Sequence, residues 1–167
     1  MVELLIENGA DVNARSVSMT GTPAFGPMHS AGQSAHFEIV DLLRAYGAAG
    51  PKVTPVRALL ASADATKGEE VFVASCIHCH SVENEEFDTG PGLRGVVGRP
   101  KAAVEGYKYS LALSRHVGTW TPAEINAFIA APTDYVPGTS MAAEGVADPM
   151  ERANLISFLQ QRDPESP

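Results

Sequence analysis

The stretch Cys76-Ile77-His78-Cys79-His80 determines the fold class expected for this chain of 167 residues. Its two cysteines are the only cysteines in the sequence, and they stand three positions apart, so one helical turn can present both thiols on the same side. Haem carries two vinyl groups on adjacent pyrroles. Each thiol can add to one vinyl group, while the imidazole of His80 can bind the iron. The Cys-x-x-Cys-His spacing is typical of covalent haem attachment.

Two other kinds of site also use paired cysteines. A Cys-x-x-Cys redox pair belongs to a thioredoxin-like alternation of strands and helices, and the hydropathy pattern of this chain lacks that alternation. A structural zinc site needs four nitrogen or sulfur ligands, and no second cluster of Cys and His follows Cys79. Haem attachment is therefore the favoured interpretation, with His78 expected at the solvated surface rather than on a metal.

An electron carrier needs a second axial ligand on its iron, and a thioether raises the reduction potential relative to two nitrogen ligands. Met141 follows the turn-forming pair Pro137-Gly138, in a segment that can lie extended against a flat ring. Met150 falls in the first turn of a helix whose inward face is needed for packing. His116 follows a short polar segment that indicates surface. We expect Met141 as the ligand, with His116 or a vacant position as the alternatives.

The region around the motif is predicted to be helical. Thr66-Lys67-Gly68-Glu69 has the spacing of a capping box. Thr121-Pro122-Ala123-Glu124 and Asp148-Pro149-Met150-Glu151 each combine a capping side chain, a proline at the first helical position and an acidic residue in the first turn. Residues 81–108 are rich in Gly, Pro and charge, which indicates loops, and no alternating strand is present in the pattern.

With these features, residues 64–161 resemble the class I c-type cytochromes, close to the soluble mitochondrial and bacterial type. The resemblance implies an all-α cytochrome c fold in which the first and last helices pack together and loops enclose the haem. The family's helix-packing positions correspond to four residues of this chain: Gly68, Phe72, Leu155 and Phe158. Because glycine has no side chain, Gly68 would let the two helices approach closely.

The resemblance also implies which residues surround the haem. Gly90-Pro91-Gly92-Leu93 is similar to the loop in which a proline carbonyl accepts the N–H of the histidine ligand, so Pro91 would orient His80. The remaining positions implied to bind the cofactor are Cys76 and Cys79 for the thioether bonds, Arg99, Tyr109 and Trp120 for the propionates, Tyr135 and Thr139 beside the haem, and Met141 with His80 on the iron.

The N-terminal region contains an internal repeat with an offset of 38 residues. Residues 2–10 align with residues 40–48, and both copies end in Gly-Ala, where the glycine can take the left-handed conformation that ends a helix. Thr22-Pro23 and then His29 supply the split Thr-Pro-His pattern of an ankyrin repeat, whose period is about 33 residues. The alternative is an ordinary helical hairpin. On either interpretation His29 and His36 are structural and not ligands.

These patterns predict partial ankyrin repeats over residues 1–50, a linker over 51–62, a cytochrome c domain over 63–161 and a tail over 162–167. One and a half repeats are fewer than the roughly three that bury a continuous core. We therefore expect the sequence to be a fragment whose earlier repeats and export signal lie upstream of Met1. We also expect the N-terminal part to be less stable than the haem domain, and its removal to leave the haem spectrum and potential nearly unchanged.

The charge and the hydropathy of the chain limit the kinds of partner that it can have. The formal net charge is −8, of which −7 lies in residues 63–167, and this excludes nucleic-acid binding. No run reaches the roughly 18 apolar residues of a membrane-spanning helix. Family members that dock on respiratory complexes carry a ring of lysines, whereas this chain has Asp134 and Ser140 in the matching loop and an acidic run over residues 83–88. We expect a redox protein partner other than an acidic docking site, and possible protein contacts through the ankyrin segment.

The function expected from these observations is one-electron transfer, not enzymatic catalysis. One haem c would be attached through Cys76 and Cys79, in a tethered module located in the periplasm or an equivalent space, because attachment of haem to cysteine is linked to export. One alternative is a haem-based redox or gas sensor, or a peroxidase-like enzyme, in which the Met141 ligand is displaced. Another is a protein-binding ankyrin scaffold with the haem as cargo.

Overall fold

The computed structural model describes residues 1–17, 25–83 and 89–162. Its helices in these ranges are α1 (Val2–Glu7), α2 (Pro27–Gln33), α3 (Phe37–Ala45), a 3-10 helix (Leu59–Ser62), α4 (Ala65–Ser75), α5 (Leu111–Arg115), α6 (Pro122–Ala130), α7 (Pro132–Tyr135) and α8 (Pro149–Gln160). The β pairing in the described residues is limited to an isolated antiparallel bridge between Pro100 and Thr119. The all-α prediction is thus confirmed. None of these helices is both long and apolar enough to cross a bilayer.

Helices α4 and α8 cross in close contact. A Cβ atom added to Gly68 would lie 2.0 Å from the carbonyl oxygen of Asn154 and 2.7 Å from Cβ of Phe158, so this approach requires glycine. The rings of Phe72 and Phe158 lie 5.5 Å apart between centroids. These side chains and Leu155 belong to the main apolar cluster, which comprises Val56 and the buried apolar residues of α4, α5, α6 and α8 and of the loops between them. The four helix-packing positions therefore lie at one crossing.

Side-chain caps begin four helices of this region, namely α4, α5, α6 and α8, and the cap of α5 is Ser110. Thr121 caps α6 and Asp148 caps α8, each accepting hydrogen bonds from backbone N–H groups of the first turn, as the sequence predicted. Helix α4 begins earlier than the capping-box spacing indicated. Its cap is Asp64, which accepts from the backbone N–H groups of Thr66 and Lys67. A carboxylate at this position is the better acceptor because it also interacts favourably with the positive end of the helix dipole.

The two copies of the N-terminal repeat form helices with the same C-terminal cap. Gly9 and Gly47 have φ angles of +88° and +89°. In each copy the glycine N–H donates to the carbonyl three residues back, and the N–H of the following alanine donates five residues back, at 2.8–3.0 Å. This is the Schellman pattern. The Thr22-Pro23 element of the repeat lies outside the described residues, and the ankyrin assignment stays a prediction.

Residues 51–62, predicted as a linker, pack against the helical region that follows them. Val56 is 3 % exposed and belongs to the main apolar cluster, and Leu59 and Leu60 pack against that cluster. The 3-10 helix contacts α8. The Gly and Pro residues that open this stretch indicate a chain reversal, but they do not reveal that the apolar residues after it are covered by another helix.

The N-terminal helices also contact the C-terminal region, although the sequence analysis treated them as separable. Phe37 at the start of α3 packs against the main apolar cluster, and the guanidinium of Arg115 lies 5.1 Å from the centroid of its ring. Helix α2 contacts α7, and Arg15 forms an ion pair with Asp134. Removal of the N-terminal part would therefore uncover surface of the C-terminal region.

Candidate functional site

The Cys76–His80 motif forms a tight turn at the C-terminal end of α4. The N–H groups of Cys79 and His80 both donate to the carbonyl of Cys76, at 3.1 and 3.0 Å, and the N–H of Ile77 donates back to Phe72 at 3.0 Å. The turn brings two free thiols and one imidazole onto adjacent positions. The thiol of Cys76 is partly buried, and burial together with the nearby Cys79 raises its pKa to about 11. His78 is exposed, as expected.

His80 is held in one orientation by the loop that follows the motif. Its Nδ1 lies 2.8 Å from the carbonyl oxygen of Pro91, the partner that the resemblance implied. A Cβ atom added to Gly90 would lie 2.4 Å from Cε1 of His80, so the loop backbone lies directly against the ring. Burial lowers the pKa of His80, although the bond to the Pro91 carbonyl opposes this shift.

These donors fit a covalently attached haem. With Nδ1 bonded to a carbonyl oxygen, the proton of the neutral ring lies on Nδ1 and the lone pair of Nε2 is available to iron. In the sequence, Cys79 directly precedes His80, and Cys76 lies about one helical turn before it. A glycine at residue 90 leaves room for the imidazole where any side chain would collide with it. The residues present thus match the chemical needs of haem c.

The Met141 segment, which we define as residues 132–141, contains α7 and the turn after it. Met141 is partly buried and packs against the main apolar cluster. The N–H of Thr139 donates to the carbonyl of Val136 at 2.9 Å, and the N–H of Met141 lies 3.3 Å from the hydroxyl oxygen of Thr139. Thr139 is 2 % exposed. The segment therefore brings the Met141 thioether to the apolar interior through a turn fixed by its own hydrogen bonds.

The residues matched to the haem propionates lie on two neighbouring loop segments. The N–H of Trp120 donates to the carbonyl of Arg99 at 2.9 Å, which joins the two residues through their backbones. The guanidinium of Arg99 donates to the carbonyls of Gly92 and Arg94, at 2.8 and 3.0 Å. The hydroxyl of Tyr109 accepts the N–H of Val104 at 3.2 Å. The structure brings Arg99 and Trp120 together, and each of the three residues has protein partners.

The sequence did not predict a polar cluster that lies beside Trp120 and is formed by Lys101, Glu124 and Tyr135. Glu124 accepts hydrogen bonds from Tyr135 and, at 2.5 Å, from Lys101, whose side chain is only 4 % exposed. Burial alone would raise the pKa of Glu124, but the bonds from Lys101 and Tyr135 lower it below its usual value. Burial and Glu124 raise the pKa of Tyr135. Tyr135, which the resemblance places beside the haem, thus has its hydroxyl committed to a carboxylate.

His116 belongs to the same cluster and is partly buried, with 27 % of its side chain exposed, so it is less exposed than its polar sequence neighbours indicated. Its ring packs edge-on against Tyr135 with 5.2 Å between centroids, and its Nε2 lies 3.7 Å from Glu124. Burial, reinforced by Lys101, lowers its pKa. The polar neighbours of His116 in the sequence could not reveal this position, because the covering residues come from α6 and α7.

Asn126 and Arg152 form a second buried network that sequence analysis did not identify. Arg152 is 3 % exposed, and its Nε donates to Oδ1 of Asn126 at 2.7 Å. Asn126 in turn donates to the carbonyl of Thr54 at 3.1 Å, while Arg152 also donates to two carbonyls before α8. The sequence does contain one sign of this network: Asn126 interrupts the apolar stripe of α6. Because a buried amide needs a polar partner, such a residue indicates a buried hydrogen-bonding group nearby.

Comparison with known proteins supports the assignment. The family model described as Cytochrome c matches residues 65–163. A protein named cytochrome c-type cyt cy from Rhodobacter capsulatus is 44 % identical over 96 residues, covering 58 % of this chain and 48 % of that protein. A cytochrome c homolog from Rickettsia prowazekii is 38 % identical over 106 residues, covering 63 % of this chain and 60 % of that protein.

A solved structure gives the same result. Cytochrome cH from Methylobacterium extorquens matches with a TM-score of 0.55 at 36 % identity, covering 59 % of this chain and 98 % of that chain. The chain spans about half to three-fifths of the length of the two curated relatives. The family match covers more than half of the chain, and it selects haem attachment among the three interpretations of the cysteine pair. The chain therefore belongs to the cytochrome c family of haem electron-transfer proteins, and its haem c is attached through Cys76 and Cys79.

Proposed function

We propose that the whole chain is a one-electron carrier whose haem iron is bound by His80 and Met141, in a domain tethered through the N-terminal repeats. When bound, haem supplies the iron whose change between the ferric and ferrous states carries the electron. The observation that carries the proposal is the 2.8 Å contact between Nδ1 of His80 and the Pro91 carbonyl, because it leaves Nε2 free for iron at neutral pH.

The Met141 segment supports a thioether as the second ligand. Met141 packs on the same apolar cluster as Cys76, and Thr139 fixes the turn that presents it. A thioether stabilises ferrous iron and so raises the reduction potential. With both axial positions filled, small molecules would be excluded from the iron, which favours electron transfer over a sensor or a peroxidase-like enzyme.

Polar groups of the chain would hold the haem propionates. We assign this role to Arg99, Tyr109 and Trp120, supported by the backbone bonds that join Arg99 to Trp120. Thr139 and Tyr135 would lie beside the haem. Two propionates would add negative charge to a region that is already acidic, so the guanidinium of Arg99 is the group expected to offset that charge most strongly.

The tethered arrangement rests on the N-terminal part of the chain. We propose that residues 1–50 are partial ankyrin repeats, a class of repeat that binds proteins, and that they hold the haem domain near a redox partner. We also propose a periplasmic or equivalent extracytoplasmic location. Thioether formation needs reduced thiols to meet haem, and such attachment accompanies export.

The test is expression of the full chain, fused to an export signal, with a haem-attachment system, followed by visible spectra of the oxidised and reduced protein and acid–acetone extraction. We expect one haem per chain that stays with the protein during extraction. The oxidised spectrum should show the weak red absorption band of methionine-ligated haem, and carbon monoxide should bind slowly. Haem lost on extraction would contradict the attachment, and rapid carbon monoxide binding by the unmodified protein would favour a sensor or enzyme. In its native cells, the tagged product of the complete gene should fractionate with periplasmic contents, and a cytoplasmic holoprotein would contradict the location.

A further inference from the structure

Helix α2 and the Met141 segment touch through their backbones. A Cβ atom added to Gly32 would lie 2.4 Å from the carbonyl carbon and oxygen of Pro137 and 2.7 Å from the nitrogen of Gly138. In the reverse direction, a Cβ atom added to Gly138 would lie 2.4 Å from the carbonyl oxygen of Gly32. Gly138 also has a φ of +90°, a conformation that disfavours other residues. The backbone at Gly32 thus occupies the space that a side chain at residue 138 would need, and the backbone at Pro137 and Gly138 occupies the space that a side chain at residue 32 would need.

A polar contact also holds the N-terminal region to the same segment. Arg15 forms an ion pair with Asp134 in α7. The buried side chain of His29 in α2 is near the same helix, since the charge of Asp134 acts on its pKa. Asp134 lies before the Pro137-Gly138 turn, so the N-terminal region contacts both α7 and the turn after it.

The part of the chain just beyond this contact has fewer restraints. Ser140 is exposed, as are residues 142–144, and Met141 itself is held through the Thr139 hydroxyl and the apolar cluster. A methionine ligand detaches from iron by movement of the loop that carries it. The free energy of detachment therefore depends on how firmly the preceding turn is fixed.

We propose that α2 is a positioning element for the sixth iron ligand, acting through the contact between Gly32 and the Pro137-Gly138 turn. The inference rests on the proposed ligation by Met141 and goes beyond it, because it gives the N-terminal region a role at the iron. A partner that draws α2 away from the turn would increase the fraction of molecules with an open sixth site. The coupling is reciprocal, so an exogenous ligand on the iron would weaken the contact of α2 with the turn.

The test compares Gly32→Ala with Gly50→Ala in the full haem-loaded chain. Gly50 lies in the same N-terminal region, has an ordinary φ and has no atom within 4 Å of an added Cβ, so it is the matched control. The measurements are the red absorption band of the oxidised protein and the rate of cyanide binding. We expect Gly32→Ala to weaken the band and to accelerate cyanide binding about tenfold, which is about 1.4 kcal/mol. Gly50→Ala should match the unmodified chain.

The outcomes separate this inference from the proposed function. If the unmodified chain lacks the red band and binds cyanide rapidly, the Met141 ligation fails, and the positioning role fails with it. If the unmodified chain has the band and Gly32→Ala behaves as Gly50→Ala does, only the positioning role is overturned. If Gly32→Ala does not fold, Arg15→Gln is compared with Asp41→Asn. The second variant is the control because it removes an ion pair whose two partners, Asp41 and Arg44, both lie in α3. Faster cyanide binding by Arg15→Gln alone supports the inference, and equal rates overturn it.

Discussion

Gly90 lies so close to His80 that a Cβ atom on the glycine would stand 2.4 Å from Cε1 of the imidazole. The same loop supplies the Pro91 carbonyl that bonds Nδ1 of the ring. The imidazole is thus fixed by a hydrogen bond at one atom and by a backbone contact at the neighbouring atom. This geometry sets both the direction of Nε2 and the proton position on the ring.

Replacement of Gly90 by alanine should reduce the yield of haem-loaded protein several-fold. The added methyl group must displace either the imidazole or the loop, because the contact distance is far below the sum of atomic radii. The haem-to-protein absorbance ratio after purification measures the effect. Gly50→Ala serves as the control, and an unchanged ratio in Gly90→Ala would mean that the loop moves without consequence for attachment.

Replacement of Met141 by alanine should open the sixth position of the iron. We expect a lower reduction potential, loss of the red absorption band, and binding of carbon monoxide and cyanide, while the haem stays attached. Met150→Ala is the matched control, since Met150 is 37 % exposed in the first turn of α8. An unaltered potential in Met141→Ala would assign the ligand elsewhere, and His116→Ala would be the next variant to measure.

Replacement of Gly68 by alanine should lower the free energy of unfolding by about 1–3 kcal/mol, the usual effect of forcing a methyl group into a packed contact. The added Cβ would collide with backbone atoms of Asn154, and backbone atoms within a helix cannot move aside as the end of a flexible side chain can. Unfolding of the haem-loaded chain in guanidinium chloride measures the difference. The exposed Gly50→Ala change should alter stability by no more than about 0.5 kcal/mol. Equal midpoints for the two variants would show that α4 and α8 separate easily.

The stability of the protein should fall as the pH drops below neutrality. Burial lowers the pKa of His29 and of His116 in the folded chain. The unfolded chain takes up protons on these residues near pH 6.5, while the folded chain resists protonation until a lower pH, so protons favour unfolding in that window. His29→Gln combined with His116→Gln should flatten the dependence of unfolding free energy on pH between 7 and 5. The exposed His36→Gln change should leave it intact, and an unflattened slope in the double variant would refute the assignment.

Electron transfer to an acidic partner should be slow at low ionic strength and should accelerate or stay flat when salt is added. Residues 63–167 have a net charge of −7 before the propionates are counted. Charge repulsion mainly slows association, and its range falls from about 30 Å at 0.01 M salt to about 10 Å at 0.1 M. Stopped-flow rates with acidic and basic redox partners test this. A steep decrease with salt towards the acidic partner would show that Lys108 and Arg99 form a local basic surface, to which Lys101 cannot contribute because it is buried against Glu124.

Local chemistry made part of this fold predictable. The Cys76–His80 spacing, the caps at Thr121 and Asp148 and the Gly-Ala ends of the repeat depend on neighbours in sequence, and the structure reproduces each of them. The burial of His116 depends on residues far away along the chain. The sequence around Val56 does not indicate that this residue is buried in the main apolar cluster. Likewise, nothing near Gly32 in the sequence indicates that its backbone contacts Pro137, which lies far away along the chain.

The crossing of α4 and α8 also has a consequence for the order of events during biogenesis. Gly68 and Asn154 are separated by 86 positions, so their contact cannot form until nearly all of the chain has been made. The attachment turn follows α4 directly, so it stays uncovered in an exported chain until α8 packs on α4. Haem can therefore reach both cysteines before the last helix closes the domain, and the final closure then retains a group that is already bonded.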